Sequence, residues 1–244
     1  MEEAEYYKLA DVEDRMWYFR SLHRHFHRLL RRRLDAGPCD LLDAGCGSGG
    51  LIRYLQDREA AWRITGIDRS AIACGLARAR ARAPIVAGSV TALPMDAAAF
   101  DAVLAADVLY ELDEPAAALR EFHRCLRPNG WVVINVPAYR WLWSYHDVAV
   151  HTKHRFVRRE IARLLTAAGF AVELNTHWNA LTLPLIAARR RLFARPDDTS
   201  DVKRYPAPVE AVLRGMMGVE HAWLQLGGRW AWGSSILAVG RRRD

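Results

Sequence analysis

Residues 41–50, LLDAGCGSGG, hold the spacing that is most informative about chemistry. Asp43 lies two residues before Gly45, and Gly45, Gly47 and Gly50 satisfy the pattern GxGxxG. Glycines let the backbone approach a ligand closely, and the start of the helix that follows presents free N–H groups. Nicotinamide-dinucleotide folds use the same glycine pattern, so the glycines alone leave the ligand open.

Two carboxylates, Asp43 and Asp68, distinguish this loop from one that binds a pyrophosphate. A carboxylate at position 43 would repel a pyrophosphate but could hold an ammonium group, directly or through water. Asp68 ends the second predicted strand, at about the separation expected for an acid that accepts both ribose hydroxyls. The two strand ends therefore predict a site for an amino acid group and a sugar diol.

A second group of reactive side chains lies in residues 137–156, after the fifth predicted strand. His151 is the leading candidate for a general base and His146 the second, because imidazole changes protonation near neutral pH. Arg155 could bind a carboxylate or a phosphate. The further candidates for contacts with a substrate are Tyr139, Trp143 and His154. The alternative is that these histidines and Asp147 fasten a loop by hydrogen bonds, and the spacing matches no standard metal cage.

The elements that must position these groups follow from an alternation of strands and helices after Gly37. Strands are predicted at 39–44, 62–68, 84–87, 101–105, 131–136, 171–176 and 233–240. Helices are predicted at 49–57, 70–82, 114–126 and 157–170. Repeated βα units of this length predict an α/β fold, Rossmann-like and doubly wound, with a mostly parallel seven-stranded sheet. Ligands of such folds bind at the carboxyl ends of the strands.

Residues 37–177 and 233–244 are predicted to form this Rossmann-like core, with residues 1–36 as an N-terminal helical cap. A helical pattern runs from Arg15 to Leu34, and three consecutive aromatic residues lie near its start. Three such neighbours cannot all face one side of a helix, so at least one points at a pocket or at solvent. Tyr18 is our candidate for a contact with a bound ligand.

Residues 178–232 are predicted to be a helical insertion before the last strand. The insertion contains four of the nine tryptophans, which either pack it onto the sheet or form a substrate lid or a membrane-interface surface. Its polar, proline-rich middle, residues 194–208, predicts a mobile loop.

Composition narrows the class of protein only broadly. A chain of 244 residues suits one globular domain, or one domain with a large insertion. Four cysteines without CxxC spacing predict a reduced, cytoplasmic protein without structural zinc. The acidic N-terminus predicts no secretory signal, and the apolar stretch 180–188 is too short to span a bilayer. A net charge of +7 fits nucleic acid, phosphorylated metabolites or an anionic membrane, and equally the codon bias of a GC-rich genome.

Four segments, in their order and spacing, resemble class I S-adenosylmethionine-dependent methyltransferases, particularly the small-molecule group. They are LLDAGCGSGG (41–50), GIDRS (66–70), GSVTALPMDAAAFDAVLAADVLYEL (88–112) and LRPNGWVVINVP (126–137). The resemblance covers roughly the first 175 residues, and it implies S-adenosylmethionine as cofactor and S-adenosylhomocysteine as product.

The resemblance also implies roles by position. The loop of Gly45, Cys46 and Gly47 would lie under the methionine end of the cofactor, with Asp43 near its amino group. The other implied contacts are Asp68 with the ribose, Arg69, Ser89 and Val90 with the adenine, and the Ala106 carbonyl with the methionine amine. Ser89 departs from the family, which often has an acidic residue there. Asn129 replaces the usual glycine at a turn where asparagine tolerates the left-handed conformation.

Residues 137–156 resemble a methyltransferase subgroup often found beside glycosyltransferases, whose segment reads roughly VPAY–LW–HD–H–RY. The function expected is methyl transfer to an oxygen or nitrogen of a small molecule: a natural product, sugar or lipid-linked intermediate.

The first alternative is an RNA or protein methyltransferase, which the basic pI of 9.5 favours. The strand end AADVLY lacks the [DN]PP[YF] type of motif that grips a flipped base, so we expect no nucleic acid partner. The second alternative is a cofactor-binding protein that has the same fold but does not transfer a methyl group. The sequence leaves peripheral membrane contact and the oligomeric state open.

Overall fold

The computed structural model describes residues 2–192 and 200–243. Met1, Asp244 and residues 193–199, which include the first six residues of the predicted mobile loop, lie outside the described residues.

Seven strands form one sheet in the order β3-β2-β1-β4-β5-β7-β6. Their bounds are β1 Cys39–Ala44, β2 Trp62–Asp68, β3 Ile85–Ala87, β4 Phe100–Ala106, β5 Leu126–Pro137, β6 Phe170–Trp178 and β7 Ser235–Arg242. Strands β1 to β5 run parallel, whereas β7 runs antiparallel to both of its neighbours. The prediction of a doubly wound, mostly parallel seven-stranded sheet is confirmed. An antiparallel strand between β5 and β6 distinguishes this sheet from the dinucleotide-binding order 3-2-1-4-5-6.

Helices pack against both faces of the sheet, because each face is covered by a separate cluster of buried apolar side chains. The helices described are α1 Glu3–Val12, α2 Trp17–Arg31, α3 Gly50–Gln56, α4 Ala71–Arg80, α5 Pro115–Cys125, α6 Tyr145–Ala149, α7 Arg158–Ala167, α8 Leu183–Arg191 and α9 Ala207–Gln225. Local signals set several of these bounds. The Ser70 side chain accepts a hydrogen bond from the Ala73 N–H at 3.3 Å and caps α4, and α7 is followed by Gly169 at φ +93°. Helix α1 is absent from the sequence prediction.

Helices α1, α2 and α9 share the apolar cluster on one face of the sheet. Helices α1 and α2 precede the first strand, and α9 packs against α2. Leu213 and Met217 of α9 join the apolar cluster that holds Trp17 and Phe26 of α2. In the part of the chain that the structure describes, no helix is both long and apolar enough to cross a membrane.

Candidate cofactor-binding and active site

A cavity of about 450 Å³ lies at the carboxyl ends of β1 to β5. It includes the point between β1 and β4 where the strand order reverses, which is where open α/β sheets bind ligands. The residues predicted to contact the cofactor all line this cavity: Tyr18, Asp43, Gly45, Cys46, Gly47, Asp68, Arg69, Ser89, Val90 and Ala106. The fold therefore brings together residues that are up to 88 positions apart in the sequence, from Tyr18 to Ala106.

The glycine loop after β1 has a backbone that only glycine adopts without strain. Gly45 has φ +80°, and a Cβ added there would lie 2.5 Å from Cγ2 of Val108. Gly47 has φ +52°, and its N–H donates to Oδ2 of Asp68 at 3.0 Å. The loop is thus held against the end of β2 and leaves its backbone close to the cavity.

Asp43 is a buried acid that no described residue satisfies. Its side chain is 1% exposed, and neither carboxylate oxygen has a hydrogen-bond partner among the described residues. Burial, with smaller contributions from Glu13 and Asp68, raises the pKa of Asp43 to about 8. An unpartnered acid that lines a cavity fits a cationic group, which would supply the missing hydrogen bonds and favour the ionised form.

Asp68 is held in place by two backbone donors. Oδ2 accepts from the Gly47 N–H, and Oδ1 accepts from the Ser70 N–H at 2.9 Å. A carboxylate has about four lone-pair sites, so each oxygen can accept one further hydrogen bond. This arrangement suits a pair of neighbouring hydroxyls in the cavity.

Glu13 occupies the start of α3, where a pyrophosphate lies in dinucleotide-binding folds. A Cβ added at Gly50 would collide with the Glu13 carboxylate. Burial works to raise the pKa of Glu13, yet the hydrogen bonds of His23 and Ser48 and the charge of Arg80 outweigh it and lower the pKa. The protein's own carboxylate therefore fills the place of a diphosphate.

A hydrogen-bonded network surrounds the end of β4. The Tyr18 hydroxyl donates to Oδ2 of Asp107 at 2.9 Å, and Nδ2 of Asn135 donates to Oδ1 of Asp107 at 2.8 Å. Trp178 donates from Nε1 to Oδ1 of Asn135 at 2.7 Å and stacks on the Tyr18 ring at 5.2 Å. Burial raises the pKa of Asp107 to about 6.

Sequence reasoning missed Asp107, although it lines the cavity directly after Ala106. The signal was available, since Asp107 is the first residue after β4 in AADVLY. Its φ of +57° is uncommon for a residue other than glycine and marks a specialised position.

A large part of the cavity lining is apolar. Helices α1, α2, α8 and α9 contribute most of this surface, which includes Leu9, Met16, Trp17, Leu22, Leu185, Ile186, Val209 and Leu213. Such a wall with few polar groups is typical of small-molecule sites. The predicted cap and insertion thus both contribute to the cavity.

His146 lines the cavity, but its contacts do not suit the predicted role of a general base. Its Nδ1 accepts a hydrogen bond from the Asp201 N–H at 3.2 Å. Burial lowers the pKa of His146 to about 4. A neutral imidazole whose Nδ1 accepts has only its Nε2–H left, so His146 can donate a hydrogen bond to an acceptor molecule but has no free lone pair for a proton.

Four other predicted residues lie outside the cavity lining, which corrects their placement. His151 is exposed at the end of α6 with φ +52°, so this geometry gives no support to its predicted role as a base. His154 is exposed and lies 2.9 Å from Glu160. Tyr139 hydrogen-bonds His177 at 3.1 Å, and Trp143 is 42% exposed at the surface.

Arg155 lines the cavity, but its guanidinium is committed to the protein. Nε and Nη2 donate to the Asp147 carboxylate at 2.7 and 3.1 Å, and Nη1 donates to the Ala138 carbonyl at 2.8 Å. Asp147 also accepts from the Ser144 N–H at 2.9 Å. These bonds match the alternative in which Asp147 fastens the loop, and they use three of the five N–H groups of Arg155.

Comparisons with known proteins agree with this geometry. Residues 42–134 match the methyltransferase domain family. A malonyl-[acyl-carrier protein] O-methyltransferase of Enterobacter lignolyticus is 33% identical over 153 residues, which cover 57% of this chain and 60% of that protein. A protein of Mycolicibacterium smegmatis described as a probable S-adenosylmethionine-dependent methyltransferase is 30% identical, over 66% of this chain and 62% of its own length. This chain therefore spans about three fifths of the length of these curated relatives.

A solved structure shows the same fold over nearly the whole chain. It belongs to the complex between the Haloferax volcanii Trm112 methyltransferase activator and a methyltransferase, with a TM-score of 0.67 and 23% identity. The superposition covers 99% of this chain and 94% of that one. The sheet, the strand-end cavity and the matched domain define a methyltransferase fold. Residues 42–134 thus match a methyltransferase domain in sequence, and the chain as a whole is similar in fold to solved methyltransferase structures.

Proposed function

We propose that this protein binds S-adenosylmethionine in the strand-end cavity and transfers its methyl group to an oxygen or nitrogen of a small molecule. The observation that carries this proposal is Asp43, whose buried carboxylate has neither oxygen satisfied among the described residues. A cofactor with an ammonium group would supply the missing partner, whereas a diphosphate would meet the Glu13 and Asp43 carboxylates.

The residues that would hold the cofactor, here called the cradle, are Asp43, Asp68, Ser89, Val90 and Ala106. Asp43 would accept from the cofactor's ammonium group, and Asp68 would accept from the two ribose hydroxyls. The turn of Ser89 and Val90 would flank the adenine, and the Ala106 carbonyl would face the methionine amine. When bound, the cofactor supplies an activated methyl group. The protein must then align a nucleophile and exclude water.

The apolar surface from α2, α8 and α9 supports an organic acceptor of small size. His146 would orient this acceptor through its Nε2–H, because its Nδ1 is used by the Asp201 backbone. The similarity to a named O-methyltransferase supports an oxygen acceptor first and a nitrogen acceptor second.

Asp107 takes the role of proton acceptor that His151 was predicted to have. It lines the cavity, and its hydrogen bonds with Tyr18 and Asn135 fix the orientation of the carboxylate. A pKa near 6 leaves Asp107 ionised at neutral pH and still close enough to neutrality for efficient proton transfer. A hydroxyl or ammonium acceptor that binds beside Asp107 would lose its proton to this carboxylate, directly or through Tyr18.

The test is incubation with methyl-labelled S-adenosylmethionine and fractionated metabolite extract. We expect label in a small organic molecule for the wild type, and at least about a hundredfold less for Asp107→Asn. Cofactor binding by both proteins is measured in parallel to show that the variant retains the cradle. Label recovered only in RNA or protein would contradict the small-molecule proposal. Binding without any labelled product from extract would contradict methyl transfer itself.

A further inference from the structure

A second groove, of about 480 Å³, lies between α2, the end of α9 and the side chains of β5, β6 and β7. It is separate from the cofactor cavity. His25 lines the groove and packs edge-on against Trp178 at 5.0 Å, while Tyr18 of the cofactor cavity stacks on the same tryptophan. Trp178 is fully buried, so it forms a wall between the two sites.

Arginine dominates the polar surface of this groove. The described lining residues include Arg28, Arg32, Arg33 and Arg229, with Glu173 as their one carboxylate. Clustered cations of this kind repel each other unless an anion balances them.

Part of the arginine set has a structural task. Arg28 donates from Nη1 to the His221 carbonyl at 3.3 Å, and Arg32 donates from Nη2 to the Gln225 carbonyl at 3.3 Å. Both carbonyls belong to the last turns of α9, where cations satisfy free carbonyl groups and oppose the helix dipole. One nitrogen of each guanidinium is enough for this purpose.

Two buried nitrogens in the groove have no acceptor among the described residues. They are Nη2 of Arg28 and Nε2 of His25, whose side chain is 3% exposed. Burial and the charge of Arg32 lower the pKa of Arg28 to about 10. Buried polar nitrogens without partners are rare in native proteins. Arg28 Nη2 is a donor, and burial keeps the His25 ring neutral, so its Nε2 donates in the tautomer that carries the proton there. An anion satisfies both groups in that tautomer.

The floor of the groove is apolar. Trp131, Leu174 and Leu237 project from the sheet, and the guanidinium of Arg33 lies 5.4 Å from the Trp131 ring. A ligand that uses the whole groove has an anionic head for the arginines and a compact apolar or aromatic body for the floor.

We propose that this groove binds the phosphate monoester of a small aromatic or aliphatic molecule. The phosphate oxygens accept from Arg28 Nη2 and His25 Nε2, and Arg229 and Arg33 balance the remaining charge. The ester's apolar part lies on Trp131 and Leu237. Guanidinium groups suit phosphate because their planar donors match two phosphate oxygens at once.

Isothermal titration calorimetry with phenyl phosphate, inorganic phosphate and phenol measures separately how the phosphate group and the apolar part contribute to binding. We expect phenyl phosphate to bind about tenfold or more tightly than inorganic phosphate, and phenol to show no binding. Equal affinity for the two phosphates would overturn the role of the apolar floor. No binding of phenyl phosphate at millimolar concentration would overturn the site.

The matched variants are Arg28→Gln and Arg20→Gln. Both remove one positive charge from α2, but Arg20 is exposed and lies outside the groove lining. We expect Arg28→Gln to weaken phenyl phosphate binding about tenfold or more and Arg20→Gln to change it less than about twofold. Equal losses would show attraction by the net charge alone and would overturn the site.

Arg229→Gln provides a second variant in case Arg28→Gln loses the contact with α9 and fails to fold. Arg229 is exposed, so its replacement does not alter a packed element. We expect Arg229→Gln to weaken phenyl phosphate binding while S-adenosylhomocysteine binding is unchanged. Wild-type affinity for phenyl phosphate in this variant would overturn the proposed charge balance. The S-adenosylhomocysteine titration reports separately on the proposed function.

Discussion

Replacing Asp43 by asparagine should make the free protein more stable and its cofactor binding weaker. Asp43 is buried without a partner among the described residues, and its pKa in the folded state is about 8 against an ordinary 3.8. The folded state thus binds more protons than the unfolded state between these values, so stability falls as pH rises from about 4 towards 8. From the ordinary pKa of 3.8 up to pH 7 the difference is roughly 3 pKa units. At about 1.4 kcal/mol per unit, the buried carboxylate lowers the unfolding free energy at pH 7 by about 4 kcal/mol.

Asparagine has nearly the same shape as aspartate and carries no charge. Chemical denaturation of Asp43→Asn and wild type, without cofactor, should therefore show a difference in unfolding free energy that grows by about 4 kcal/mol between pH 4 and pH 7. The unpaired amide costs much the same at every pH, so the growth of the difference, and not its absolute value, measures the ionisation. A difference that is constant with pH would refute the assignment of this buried acid.

The same substitution should weaken S-adenosylhomocysteine by about 2–3 kcal/mol at pH 7, because a charge-assisted contact with the ammonium is lost. An ammonium favours the ionised carboxylate, so binding to the wild type expels the proton of Asp43 below pH 8. Titration in buffers of different ionisation enthalpy should show this proton release for the wild type and not for Asp43→Asn. Equal affinity and equal proton release in both proteins would refute the contact.

Three further outcomes follow from the geometry of the site. Asp68→Ala should weaken S-adenosylhomocysteine by about 2–3 kcal/mol in calorimetry, and unchanged affinity would remove Asp68 from the cradle. Gly45→Ala should lower the unfolding free energy by about 1–3 kcal/mol, because residue 45 has a positive φ and its new Cβ would collide with Val108. An unfolding temperature equal to that of the wild type would contradict this prediction. His151→Ala should change turnover less than about twofold, whereas Asp107→Asn lowers it about a hundredfold, and the reverse order would restore the histidine as the base.

The strands could be predicted from sequence because their signals are local. CDLLDA and WRITGID are short apolar runs between turn residues, and β1 and β2 have the predicted bounds. Asp43 and Asp68 lie within or at the end of these strands, so their position in the cavity followed from the sheet.

The segment after β5 could not be predicted in the same way. His146 and His151 are five residues apart on and beside the short helix α6, yet one faces the cavity and the other faces solvent. His146 is held by the backbone N–H of Asp201, which is 55 positions away in the sequence, and Asp147 of the same helix is paired with Arg155. Helix α1 was missed because EAEYYKLADV mixes polar and apolar residues without a clear apolar face.

Calorimetry with S-adenosylhomocysteine and with NAD⁺ is the most direct test of the central claim, that the glycine loop and its two acids hold an amino acid and a ribose. The purified wild-type protein should bind S-adenosylhomocysteine at a single site and show no heat with NAD⁺ at the same concentrations. Binding of NAD⁺ together with indifference to S-adenosylhomocysteine would contradict the account.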